Sequence, residues 1–140
     1  MPLEENKATV RRYFEEVING KNLALVQELG TSDEVDHPAG AQGPEEVKQF
    51  FAMLFAAFPD LRAEVHDVIA EGDLVAARVN YSGTHRGELL GIPATGRFAR
   101  TDGVDFFRMQ DAKLAEHWGG ADGTSLFQQL GVLAPFDKQG

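Results

Sequence analysis

The sequence predicts an α+β fold, a curved antiparallel sheet whose concave face is covered by three N-terminal helices, forming a conical α+β barrel with a pocket inside. Two observations carry this. Helical spacing of apolar residues is confined to the chain up to Phe58, and strand-like composition begins at Leu61. Segregated helices and strands point to α+β and away from a doubly wound parallel sheet. Between the strands lie turn signals such as Glu71-Gly72-Asp73, which suit antiparallel hairpins.

From about Glu4 to Asn19, Val10, Phe14, Val17 and Ile18 recur on one helical face, and Asn19-Gly20 closes the helix. A short second helix over about Leu23–Leu29 turns Leu25, Val26 and Leu29 inward and ends at Gly30. The stretch TSDEVDHPAGAQG that follows reads as a polar loop. Gly43-Pro44-Glu45-Glu46 starts a third helix, since Pro loses nothing in a first turn and the Glu pair meets the positive end of the helix dipole. Val47, Phe51, Leu54, Phe55 and Phe58 make it heavily buried on one side. Strands are expected over Arg62–Ala70, Leu74–Ser82, Phe98–Met109 and Leu114–Trp118, with a loop or short strand from Gly83 to Gly87. Asp122 begins a last short helix that ends at Gly131, before Pro135 and a frayed Gln139-Gly140. No internal repeat or linker is visible, so residues 1–140 read as one domain.

The 140 residues bury a core without a staple, because a chain of this size hides roughly 68–70% of its unfolded surface. The net charge of −9 argues against nucleic acid and against an anionic membrane surface, both of which call for clustered Lys and Arg. Cysteine is absent, which excludes disulfides, thiolate nucleophiles and Cys-bound zinc. The segment MPLEENKATVRRYF has no apolar core of signal-peptide length, and no apolar run approaches a membrane span, so the expected location is cytoplasmic.

The chemistry is expected in the hairpin GVDFFRMQDAKLAEHWGGAD, Gly103 to Asp122, where Asp105 and His117 sit among apolar residues. If Gln110, Asp111 and Ala112 form a three-residue loop, Asp105 stands opposite His117, and a carboxylate and an imidazole meet on one face. A two-residue turn instead pairs Asp105 with Trp118 and sends His117 to the other face. The longer loop is the expectation adopted, and it asks for a left-handed residue at Ala112. Such a pair titrates near neutrality and suits general acid–base work; the alternative is a structural hydrogen bond between strands.

His37, in the loop after the second helix, is a candidate for orienting a substrate carbonyl at the pocket mouth, or an exposed loop histidine. His66 and His85 read as surface residues. Trp118 and Arg108 alternate away from Asp105, toward core or an interface. Tyr13 and Tyr81 are minor phenol donors, and Asp36, Glu64 and Asp67 are further carboxylates. The four His lack metal-ligand spacing, and neither a phosphate loop nor a Gly-x-Ser-x-Gly elbow is present, so no metal, no cofactor and no serine hydrolase chemistry is expected.

The stretches RRYFEEVINGKN, GPEEVKQFFAMLFAAFPDL, SGTHRGELLGIPATGR, GVDFFRMQDAKLAEHW and LFQQLGVL, in this order, resemble the SnoaL-like polyketide cyclases of the nuclear transport factor 2-like superfamily. GTHRGELLGIPATG is the most specific of them. The resemblance implies a conical α+β barrel, a homodimer through the outer sheet face and an apolar pocket. It also implies cofactor-free acid–base chemistry on a polyketide-like substrate, in the setting of antibiotic biosynthesis. Matched by motif, the aldol cyclases' acid/base Asp falls on Gly119, their His on Asp105 and their Asn on His37, three departures. The chain looks more like the broader ester cyclase branch and the cofactor-independent hydroxylase relatives, whose pair is an Asp on the long strand and a His on the last strand. The expected site is therefore Asp105, which takes or gives the proton, with His117 tuning it and His37 as the oxyanion-binding candidate. Two further readings stay open: opening of an epoxide by paired carboxylates, and a non-catalytic module that binds a hydrophobic ligand.

Overall fold

The computed structural model describes residues 2–134. It is an α+β fold in which helices cover one face of a curved, unclosed six-stranded sheet. Helix α1, Pro2–Arg12, carries acidic residues in its first turn and Arg11 and Arg12 in its last, matching the helix dipole. It runs on into a wider π-helical segment, Tyr13–Asn19, in which Tyr13, Phe14, Val17 and Ile18 are all buried. Asn19 pins the end of that segment: its side chain accepts from Ala63 N at 2.7 Å and donates to Ala63 O at 2.8 Å, standing in for a strand partner. Helix α2, Ala24–Leu29, and helix α3, Pro44–Ala57, complete the covering layer. Val10, Phe14, Val17, Val47 and Phe51 from these helices join Val75, Ala77, Val79 and Phe107 from the sheet in one core. A phenylalanine such as Phe14, with no exposed surface, is the kind whose truncation to Ala costs about 3–5 kcal/mol.

The sheet is formed by β1 (Gly30–Asp36), β2 (Ala41–Gln42), β3 (Arg62–Glu71), β4 (Leu74–Thr84), β5 (Phe98–Gln110) and β6 (Lys113–Ala121), in the order β2-β1-β6-β5-β4-β3. Helix α4, Gly123–Leu130, starts on an Asp122 side chain that accepts from Ser125 N and ends on Gly131 at φ 82°. Among the described residues, no helix is long and apolar enough to cross a membrane.

Three expectations are corrected. The stretch expected as a polar loop contains β1 and β2, and β1 pairs in parallel with β6, so the sheet is mixed. The inward positions of β1 are filled by Glu34 and Asp36, and that inverts the apolar alternation by which a strand is recognised. His85 is fully buried against Phe58, at 0% exposure. Its Nδ1 accepts from Thr95 N, and the neighbouring Arg86 and Gly87 amides bind Ala57 O, so this histidine ties the loop after β4 to the end of α3. Third, the β5–β6 turn has two residues. Gln110 pairs with Lys113, and Asp111 and Ala112 both hold positive φ, 52° and 60°, as a tight hairpin turn of the mirror-image kind demands. Pro135, Gln139 and Gly140 lie outside the described residues.

Candidate active site

A two-residue turn alone would have sent His117 to the outer face. A bulge on β6 reverses that: Met109 pairs with Leu114 and Arg108 with Glu116, leaving Ala115 as the extra residue. From there on the faces are exchanged, so Phe107 pairs with His117 and Asp105 with Gly119. The expected direct pairing of Asp105 with His117, and of Phe107 with Ala115, is thus replaced by a diagonal one. The side chains still meet, with His117 Nε2 2.6 Å from Asp105 Oδ1. His117 lies flat on Phe107, with ring centroids 4.7 Å apart and planes 19° apart.

On its other side the imidazole faces β1. Asp36 pairs with His117 across the parallel ladder, and its Oδ2 stands 3.2 Å from His117 Nδ1, a close ion pair short of a well-directed hydrogen bond. Asp36 is held by Ala39 N, which donates to Oδ1 at 3.1 Å. Behind Asp105, Tyr81 of β4 donates its hydroxyl to Oδ2. The arrangement is a buried chain, Asp36–His117–Asp105–Tyr81, contributed by four strands. Burial pulls the His117 imidazole down, but the hydrogen bond to Asp105, the close contact with Asp36 and their two charges outweigh it, and the pKa is pushed up to about 9. At neutral pH His117 is therefore an imidazolium. Burial and the charge of Asp105 push the Tyr81 phenol well above its usual range, and burial and the charges of Asp105, Asp36 and Glu34 do the same to Tyr13.

This chain forms the polar end of a cavity of about 260 Å³ between the helices and the sheet. Tyr13, Asp36, Tyr81 and His117 line that end, and Phe50, Phe51, Leu54, Phe58, Leu61 and Leu126 are among the residues that line the rest, so the lining is mostly apolar. Tyr13 reaches the wall from the π-helical segment, and its hydroxyl has no hydrogen-bond partner among the described residues. Asp105 itself does not reach the cavity. It is 1% exposed and stands behind His117 and Tyr81, bonded to both.

The structure separates His37 from this group. Its side chain is 45% exposed, its Nε2 lies 2.6 Å from Glu116 Oε2, and its ring stacks on Trp118 at 5.3 Å, on the outer side of the sheet. Strand alternation explains it: Asp36 faces inward beside His117, so the next residue faces out. The expectation that His37 binds an oxyanion at the pocket mouth is corrected accordingly. Asp67 points away too, paired with Arg78 at 2.7 Å. Glu116 bridges His37 and Arg108 on that face, and these two partners hold its carboxyl below the usual range. Asp36 and Tyr81 carry more of the site than the sequence suggested. The signal for Asp36 lay only in the parallel pairing of a strand that did not look like one, whereas Tyr81 sits on an expected strand. Among the described residues, no group of His, Asp and Glu has the geometry of a metal site.

Gly119 lies in the cavity wall at φ 89°, and a Cβ built there would stand 2.1 Å from Val104 O. No side chain fits at the position where the motif resemblance puts the cyclase Asp.

Residues 8–130 match the family of SnoaL-like polyketide cyclases. The aklanonic acid methyl ester cyclase DauD of Streptomyces sp. (strain C5) is 30% identical over 132 residues, covering 90% of this chain and 81% of that protein. DnrD, the aklanonic acid methyl ester cyclase of Streptomyces peucetius, is 29% identical, covering 90% of each. Among solved structures, AclR of Streptomyces galilaeus, to which a hydroxylase role has been ascribed, superposes with a TM-score of 0.81 at 29% identity, covering 98% of this chain and 87% of that one. With its helices laid over a curved sheet and a polar cluster at one end of an apolar cavity, the chain belongs to the SnoaL-like polyketide cyclase family.

Proposed function

We propose that the protein is a cofactor-free acid–base enzyme that closes a ring in a polyketide-like β-keto ester or cyclic ketone by an intramolecular aldol step. The observation that carries this reading is the placing of one imidazolium between two carboxylates at the polar end of an apolar cavity. A carbon flanked by two carbonyls is already acidic, so a positioned base suffices. The Asp36 carboxylate takes the C–H proton. The resulting enolate attacks the acceptor carbonyl and forms the new C–C bond. Asp36 then gives the captured proton to the alkoxide, with the His117 imidazolium holding its carboxylate in place across the 3.2 Å contact, so substrate and product are isomers. Asp105 is a positioning residue that fixes the ring through Nε2, and Tyr81 fixes Asp105. The free Tyr13 hydroxyl serves as donor to the enolate oxygen.

Turnover of aklanonic acid methyl ester by purified protein tests this. The Asp36→Asn and His117→Gln variants are each expected to lose on the order of 10²–10⁴-fold in kcat. Folded variants that turn over at the wild-type rate would sink the assignment. A second reading, epoxide opening, is favoured by the two buried carboxylates flanking His117. It is distinguished by conversion of an apolar cyclic epoxide to its diol with the β-keto ester left untouched.

The second copy implied by the family resemblance has a suitable face. Ile69, Ala76, Phe106 and Trp118 pair in one row across β3, β4, β5 and β6, and Ile69, Phe106 and Trp118 of that row, with neighbouring Val104, are exposed apolar residues on the outer side. We take this face as the homodimer surface.

A further inference from the structure

The acid–base pair leaves one buried acid unused. Glu34 lies on β1 two residues before Asp36, and both face inward, at 8% and 6% exposure. Its Oε1 is sealed from solvent and has no hydrogen-bond partner among the described residues. An ionised carboxylate without donors in such a place is costly, so the position favours the neutral acid. Room for it is made by Gly30, the first residue of the same strand. A Cβ on Gly30 would stand 2.5 Å from Glu34 Oε2 and 2.7 Å from Oε1. The backbone of Gly30, at φ −108° and ψ 162°, is one that any residue adopts, so glycine is needed there for space and not for conformation.

From this juxtaposition we propose that Glu34 is a third ionisable member of the site, a positioning residue that does not touch substrate and that sets the protonation of the Asp36–His117 pair by its own charge. The proposal rests on reading that pair as the acid–base machinery. The groups acting on Glu34 are Asp36 on its own strand, His117 on β6 and Tyr13 on the π-helical segment. The charged residues on the other helices packed against β1 are turned elsewhere. Glu28 of α2 is exposed, Lys48 of α3 is paired with Glu45 and Gln27, and Glu46 accepts from Gln42 N. Burial and the charge of Asp36 raise the Glu34 carboxyl to about 7, with His117 opposing. Below that pH the acid is neutral and adds no charge beside the pair. Above it the new negative charge helps to keep His117 protonated.

The test is NMR titration of the full chain with ¹³C-labelled glutamate and ¹⁵N-labelled histidine, without substrate. One glutamate carboxyl is expected to titrate near pH 7 and to be missing in Glu34→Gln. In that variant the His117 midpoint falls by on the order of half a pH unit, because an ionised neighbour has been removed. A Glu34 resonance that titrates in the ordinary carboxylate range, or a His117 midpoint unmoved in Glu34→Gln, overturns the proposal. If the variant fails to fold, the wild-type spectra decide alone: no glutamate titrating near 7 overturns it. These readouts need no turnover, so they fail or succeed separately from the aldol reading. With aklanonic acid methyl ester, kcat/KM against pH is expected to lose an inflection near 7 in Glu34→Gln, whereas a merely structural glutamate would lower the rate equally at every pH.

Discussion

His117 holds two carboxylates at once, and together they hold its proton tightly. Its pKa rises from 6.5 to about 9 on folding, so between those values the folded chain binds a proton that the unfolded chain has released. The stabilisation is fully present below pH 6.5 and is lost as the pH rises through 9. A shift of this size amounts to about 3 kcal/mol at most. Glu34 is raised as well, but its window ends near 7, so the loss from 7 to 9 belongs to His117. Asp105→Asn removes the partner at 2.6 Å. Its unfolding free energy, measured by urea titration between pH 6 and 10, is expected to be much flatter than that of the wild type over 7–9. Parallel curves would show that Asp105 does not charge the imidazole. The nearness of Asp105 and His117 was legible in the sequence, since both fall on strands that must neighbour each other. Their division of labour was not, because only the third dimension puts His117 at the cavity wall and Asp105 behind it.

At the scale of the element, the β5–β6 hairpin shows why. The sequence posed the choice as a turn length, and the structure used a shorter turn plus one extra residue further along β6. The shift at Ala115 compensates for the missing turn residue, so the same face is presented by another route. Bulges have no strong local signal in composition: Lys113-Leu114-Ala115-Glu116 carries neither Gly nor Pro. The tight turn leaves its own mark, since Ala112 is held at φ 60° where an L side chain is strained by about 1–2 kcal/mol. Ala112→Gly is expected to stabilise the fold by roughly 0.5–1 kcal/mol after the entropy of the added glycine, read as a higher melting temperature with unchanged activity. A lower melting temperature would mean that the turn is not under strain. Strand β1 was lost to the sequence reading for a different reason: it buries Glu34 and Asp36, and buried carboxylates look like a solvated loop until their partners are known.

At the scale of the whole molecule, the helical and strand halves were readable because their apolar periodicities are uninterrupted, and the family resemblance agreed with them. Mutual placement was less readable, above all the parallel junction of β1 with β6 that carries Asp36 to His117. The outer sheet face gives a prediction at this scale. Phe106, 39% exposed and packed edge-on against Trp118 at 6.3 Å, sits mid-row in the proposed dimer surface. Phe106→Glu is expected to halve the mass measured by light scattering after gel filtration. A wild-type protein that is already monomeric at the same concentration would remove that surface from consideration.

The closed position at Gly119 bears on how this protein can change. A residue whose Cβ would sit 2.1 Å from a neighbouring carbonyl cannot take an aspartate by a single substitution, however well the carboxylate would suit the chemistry. The backbone of two strands would have to move first. The proposed machinery of Asp36, His117 and Asp105 is therefore separated from the arrangement that the motif resemblance implies by a step that no single codon change supplies, so grafting that Asp into this scaffold means rebuilding the β5–β6 register before swapping side chains.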